Sequence, residues 1–224
     1  LTSQYAPLVV VEGPDFRFGK DRTGDVALLR QLGQQKDFEV VQIGQVEAAL
    51  SDLLMVSVGS SLVRWLLAHG RVADAATCLG RAYHVVGRVV RGEQRGRALG
   101  FPTANLDAQD LAGYAVPGQG VYAGHVNCPN GVWHPAAISV GVKPTFGKQE
   151  QIVEMHLLDY DGELYGQKLT VRFSRWLRDQ CAFPGPGQLK AQLDRDLVQV
   201  RQLVAYQMFD VSAPRVLLDS MGVA

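Results

Sequence analysis

The chain has 224 residues, 22 Lys and Arg against 22 Asp and Glu, and 47% hydrophobic residues. This is the composition of a folded globular protein, and it excludes a disordered tail, a collagen-like fibre and a nucleic-acid binder that works through bulk positive charge. Three scattered cysteines, Cys78, Cys128 and Cys181, form no CxxC pair, which argues against a disulfide framework or a zinc cage. No apolar run reaches the roughly 18 residues of a membrane span, and no basic stretch leads into an apolar one at the N-terminus. The expected setting is therefore cytoplasmic, with no membrane partner.

The first third alternates strand and helix signals. Leu8–Val11 reads as a short buried parallel strand, and Gly24 and Asp25 open a helix carrying Val26, Leu28, Leu29 and Leu32. Phe38–Ile43 reads as a second strand. Ser60 and Ser61 are placed to cap a helix that Gly70 ends, and Val72–Leu79 is a further helix stopped by Gly80. Such alternation marks an α/β unit. Two hydroxyls at a helix start, with Arg64 one turn in, could hold an anion, although a plain cap is far commoner.

From Tyr83 onward the pattern becomes short β-rich runs punctuated by Gly and Pro. His84–Arg91, Gly120–Val126, Trp133–Val142, Ile152–Asp159 and Lys168–Phe173 read as strands, with Asp161-Gly162 as a hairpin turn. The spacing predicts a small antiparallel barrel. Pro184-Gly185-Pro186-Gly187 then breaks the chain before a last helix, whose Leu189, Leu193, Leu197, Val200 and Val204 form one stripe. The domain boundary falls near Gly80–Tyr83, giving an α/β part over 1–82, a barrel with its helix over 83–210 and a tail over 211–224.

Three segments carry candidate chemistry. Between Gly87 and Asn105, Arg88, Arg91, Arg95 and Arg97 lie among Gly87, Gly92, Gly96 and Gly100. Glycine lets backbone N–H groups approach an anion, and arginine offers forked donors to phosphate oxygens. Thr103 and Asn105, two residues apart on an extended segment, present two oxygens to one side and suit a hard cation such as Mg²⁺. The alternative is a solvated basic loop. In Ile152–Leu158, strand alternation puts Glu154 and His156 on one face with Ile152 and Leu158, so Glu154 is either a desolvated general base or a solvent-facing carboxylate paired with an arginine across the sheet. In Ser139–Gly147 a strand ends in a Gly/Pro loop presenting Phe146, a surface for a planar ligand or an ordinary hairpin anchor.

These motifs, in this order, resemble the riboflavin kinase module. The resemblance rests on the glycine-rich flap, Gly100-Phe101-Pro102-Thr103-Ala104-Asn105, Gly120-Val121-Tyr122, Gly141–Phe146, Glu154–Asp159, Leu164-Tyr165-Gly166, and Leu177-Arg178-Asp179 through the helix with Asp196 and Arg201. It implies a six-stranded antiparallel barrel with a C-terminal helix, and ATP-dependent phosphorylation of riboflavin at the ribityl 5′-hydroxyl to give FMN. It further implies Glu154 as the base and Mg²⁺ at Thr103 and Asn105. ATP phosphates would meet Gly87, Arg91, Arg95, Gly96, Arg97, Gly100, Pro102, Thr103 and Asn105, and the flavin would meet Gly141, Pro144, Thr145, Phe146 and Arg178. The implied partners are small molecules, with no nucleic acid.

Residues 8–81 resemble the C-terminal part of the FMN adenylyltransferase module of bifunctional FAD synthetases, a Rossmann-like nucleotidyltransferase remnant. The HxGH-type motif of that module is absent from the sequence, and its Ser-Ser-rich motif appears as Gly59-Ser60-Ser61-Leu62-Val63-Arg64. With Leu1 rather than Met at the start, the chain is expected to be a fragment of a bifunctional enzyme or to carry a decayed first domain, and FAD formation by these residues is not expected. A non-catalytic flavin- or nucleotide-binding module is the remaining alternative.

Overall fold

The computed structural model describes residues 5–92, 96, 100–145 and 148–207, with side chains throughout except at 143–150 and 204–207. Contacts divide the chain into two compact units, one of residues 1–48 with 55–58 and one of 49–54 with 59–224. The division therefore falls earlier than the Gly80–Tyr83 junction suggested by composition. The cause is the burial of the helices α2 (Ser60–Ala68) and α3 (Val72–Leu79): Leu66, Leu67, Val72 and Ala75 are essentially inaccessible. The amide of Gly118 donates to the Leu67 carbonyl at 2.9 Å, and a side chain at Gly118 would collide with the Ala68 carbonyl.

In the first unit, β1 (Val9–Glu12) pairs in parallel with β2 (Glu39–Gln42), and α1 (Val26–Lys36) connects them. Asp25 caps α1 by accepting from the Leu28 amide at 2.9 Å. The expectation of a buried strand at Leu8–Val11 is corrected: Leu8 is 83% and Val11 51% exposed. A parallel strand is buried only when neighbours and helices cover it on both faces, and among the described residues β1 pairs with β2 alone. Two short strands, β3 (Glu47–Ala49) and β4 (Met55–Ser57), form a separate pair. The expected serine cap of α2 is also corrected. Gly59 is the cap residue, no side chain caps it, and the Ser60 hydroxyl instead accepts from Arg64 at 3.3 Å.

The second unit holds a closed barrel in the order β10–β5–β6–β9–β8–β7, all pairs antiparallel. The strands are β5 (Tyr83–Val90), β6 (Ala104–Leu106), β7 (Gly120–Asn127), β8 (Trp133–Thr145), β9 (Lys148–Leu157) and β10 (Lys168–Arg178), with a one-turn helix α4 (Ala108–Leu111) after β6. Its interior is the buried alternation of Val85 and Val89, Val126, Ile138 and Val140, Val153 and Met155, and Leu169, Val171 and Phe173. Phe173 meets Tyr122 edge to face at 5.5 Å. The Tyr122 hydroxyl donates to the Gly118 carbonyl, and burial pushes its pKa up to about 12.

Three local readings change. The three-residue β6 lies inside a motif read for its chemistry, so the strand pattern alone missed it. Asp161-Gly162 is not a two-residue hairpin turn, because β9 and β10 are not barrel neighbours; residues 158–167 span between them. The loop expected after Val142 is strand as far as Thr145, with Pro144 opposite Gln149 and Thr145 opposite Lys148. The final helix α5 (Pro186–Gln207) carries Pro at its first position, where the missing N–H costs no bond. It packs Leu197, Val200 and Leu203 against Ala123, Ala137, Leu158 and Leu177. No helix among the described residues is long and apolar enough to cross a membrane.

Candidate active site

One row of paired residues crosses five strands: Asn105 on β6 faces Glu154 on β9, which faces Ser139 on β8, then Val121 on β7, then Arg178 on β10. Paired residues point to the same side of a sheet. On β9, Val153, Met155 and Leu157 fill the barrel, so Glu154 and His156 lie on the opposite face. Leu158, expected on that face, is buried there under α5 with Ala123 and Ala137, which share the row of His156. Two register shifts in β10, at Phe173–Arg175 and Trp176–Arg178, bring Arg178 into the row.

Glu154 is where the row gathers its polar groups. Its Oε1 accepts from the Thr103 hydroxyl and from Asn105 Nδ2 at 3.5 Å. Among the described residues no arginine pairs with it. The shared side of Thr103 and Asn105, expected from their spacing, is realised on Glu154. With the Thr103 proton directed at Glu154 and the Asn105 amide nitrogen turned the same way, the hydroxyl and amide oxygens keep lone pairs. That all-oxygen donor set fits a small hard cation completed by substrate phosphates and water. No cluster of three or more His, Cys, Asp or Glu suited to a metal occurs among the described residues, so a cation here would need those outside ligands.

Two cavities meet at Thr103. One, of about 430 Å³, lies under α5 and is bordered by Thr103, Glu154, His156 and Ser139, by Arg178, Gln180, Cys181 and Phe183, and by Leu189, Leu193 and Leu197. The other, of about 240 Å³, is bordered by Val89, Pro102, Thr103, Ala104, Met155 and residues 160–165. A mostly apolar pocket with a few fixed polar groups suits a planar organic molecule.

Asp196, almost inaccessible on α5, holds Arg178 with both carboxylate oxygens at 2.7–3.1 Å, and Gln192 adds a bond to Asp196 at 2.8 Å. The Asp196 hydrogen bond keeps the Arg178 guanidinium above its ordinary pKa against the opposing effect of burial. Gln180 donates to Ser139 Oγ at 2.8 Å and to the Val140 carbonyl at 3.2 Å, tying the segment after β10 to β8. At the far end of α5, Arg201 grips Asp159 with two bonds of 2.7 and 2.8 Å.

The remaining candidates divide as follows. Gly96 borders the larger cavity, and its carbonyl accepts from the Phe101 amide at 2.9 Å. A Cβ at Gly96 would come within 2.3 Å of the Phe101 carbonyl, so glycine is required by that approach. Arg91 lies over the Tyr165 ring at 5.5 Å. Gly100 turns the chain with φ +85, and Pro102 borders the smaller cavity. Gly87 and Gly141 sit within strands opposite Leu169 and Ile152 and border neither cavity. Arg95, Arg97 and Phe146 lie outside the described residues, as do the side chains of Pro144 and Thr145. The single-residue reading missed Ser139, Gln180, Cys181 and Phe183, since strand register and the docking of α5 bring them together. The stripe on α5 was the available signal for the last wall.

Residues 79–204 match the family model described as riboflavin kinase, and residues 1–53 match that described as FAD synthetase. A bifunctional riboflavin kinase/FMN adenylyltransferase of Pseudomonas fluorescens is 38% identical over 194 residues, covering 86% of this chain and 60% of that protein. Its namesake from Escherichia coli K12 is 34% identical over 203 residues, covering 90% and 60%. A solved structure described as a macrolide-efflux protein from Streptococcus pneumoniae superposes with a TM-score of 0.70 at 28% identity, over 89% of this chain and 67% of that one. The chain thus spans 60% of the length of these curated relatives. With the kinase model covering more than half of its residues and the barrel carrying the motif residues in one row, the chain belongs to the riboflavin kinase family.

Proposed function

We propose that the chain transfers the γ-phosphoryl group of ATP to the 5′-hydroxyl of riboflavin, giving FMN and ADP. The observation that carries this reading is the sharing of Thr103 between two cavities, with its hydroxyl on Glu154. A donor and an acceptor held in those cavities meet at a carboxylate. The flavin ring suits the larger cavity, against Phe183, Leu189 and Leu193 and beside Arg178, with its polyol toward Glu154. Nucleotide phosphates suit the smaller cavity, beside Val89, Pro102 and Thr103.

Phosphoryl transfer depends on positioning and charge neutralisation more than on covalent chemistry. The 5′-oxygen bonds to the γ-phosphorus as the bond to the β–γ bridging oxygen breaks. Glu154 takes the hydroxyl proton, a contribution of about 10²–10⁴-fold in rate. Thr103 and Asn105 would hold Mg²⁺, which would supply neutralisation of phosphate charge. Use of ATP supports a cytoplasmic setting.

The test is to incubate the chain with riboflavin and Mg-ATP and separate the flavins. FMN is the expected product, and its absence overturns the assignment. The bifunctional names of the relatives raise a second reading, FAD formation. The same chromatogram, started from FMN and ATP, addresses it; no FAD is expected from these residues.

A further inference from the structure

We infer that His156 is the residue that reads the polyol of the acceptor, accepting a hydrogen bond from a ribityl hydroxyl through Nε2 while Nδ1 is spent on the backbone. The inference rests on the assignment of the larger cavity to riboflavin. His156 is two residues from Glu154 on the same face of β9, opposite Ala137, and borders that cavity. Two residues of strand span about 7 Å, the scale of a short polyol lying along β9 from a 5′-hydroxyl at Glu154.

The ring is fixed from two sides. Its Nδ1 lies 2.8 Å from the Pro102 carbonyl oxygen, and Phe101 meets it edge to face at 5.7 Å. A carbonyl only accepts, so Nδ1 carries a proton, and in that tautomer of the imidazole Nε2 is the lone pair. No described residue satisfies that nitrogen. An acceptor at the cavity wall selects a hydroxyl donor. The flavin ring alone cannot fill that role, because its apolar seat lies toward Phe183, Leu189 and Leu193. The bond to Pro102 also holds the segment that delivers Thr103 to Glu154.

The test titrates riboflavin and lumiflavin, the same ring without the polyol, by flavin fluorescence. In His156→Asn the amide nitrogen replaces Nδ1 and nothing replaces Nε2. Riboflavin affinity is expected to fall about fivefold, the scale of one neutral hydrogen bond, with lumiflavin affinity unchanged. In turnover, the riboflavin KM should rise more than kcat falls. His156→Gln places its amide near the Nε2 position and should keep much of the preference for riboflavin over lumiflavin, which also covers the case in which the asparagine variant does not fold. Equal losses for both ligands, unchanged riboflavin affinity in His156→Asn, or a glutamine variant with no preference would each overturn the inference. A parent that forms FMN yet binds both flavins equally sinks this inference alone. A parent that binds riboflavin preferentially but forms no FMN sinks the kinase assignment alone.

Discussion

Strands β1 and β5 draw on the same kind of residue, valine above all, and end up in opposite circumstances. Val85 and Val89 of β5 are shut inside a closed barrel, whereas Val9 and Val11 of β1 are about half exposed beside what is, among the described residues, one parallel partner. Composition does not separate them; closure does. A barrel has no free edge and gives each strand two neighbours, so alternation sorts side chains into an interior and an exterior. The exterior of this barrel can then carry a polar row without sacrificing the core behind it. Glu154 stands between two residues, Val153 and Met155, that are wholly buried.

The comparison can be sharpened by substitutions that separate the row from the core. The largest effect is expected at Glu154→Gln. FMN formation should fall by about 10²–10⁴-fold, with Mg-ATP affinity by calorimetry and the melting temperature close to the parent's; a variant that turned over at the parental rate would exclude the base. Next is Phe173→Ala, which empties the barrel centre and should cost about 3–5 kcal/mol in urea unfolding. A loss under 1 kcal/mol would mean that the barrel interior relaxes as freely as the open sheet.

A smaller effect is expected at Asp74→Asn. Burial pushes the Asp74 carboxyl up, but the Ser51 amide and hydroxyl and the Arg71 guanidinium outweigh it and hold the pKa below its ordinary value. A carboxylate with a depressed native pKa adds stability above about pH 4 and loses it as pH falls through the native value. The variant should therefore be less stable by about 1.5–3 kcal/mol at pH 7. The gap to the parent should close in acid, and one that persisted undiminished at pH 2 would contradict the charge argument. The smallest effect belongs to the open sheet. Val11→Thr should change stability by under about 0.5 kcal/mol, since little burial is lost. A loss of several kcal/mol there would show the strand to be packed after all.

Much of this arrangement was legible from residues alone, for reasons that follow from periodicity. The α5 stripe, the α1 start at Asp25 and most barrel strands come from 3.6- and 2-residue patterns. Thr103 and Asn105 fall on one side by strand geometry. What single positions could not convey was register: that Glu154 faces Asn105 on one side and Ser139 on the other, with Val121 and Arg178 beyond, is a property of four strand pairings at once. The three-residue β6 was too short to announce itself. The burial expected for Leu8–Val11 failed because an apolar run states a preference for cover without supplying the cover.

One consequence follows from Thr103 belonging to two walls. A substitution at that position cannot reshape one cavity in isolation, since it borders both and bonds the Glu154 carboxylate. Under the proposed assignment of the two cavities, changes meant to admit other phosphate donors or other alcohols belong at the remote ends, around Tyr165 for the former and Phe183 for the latter, each of which borders one cavity and not the other.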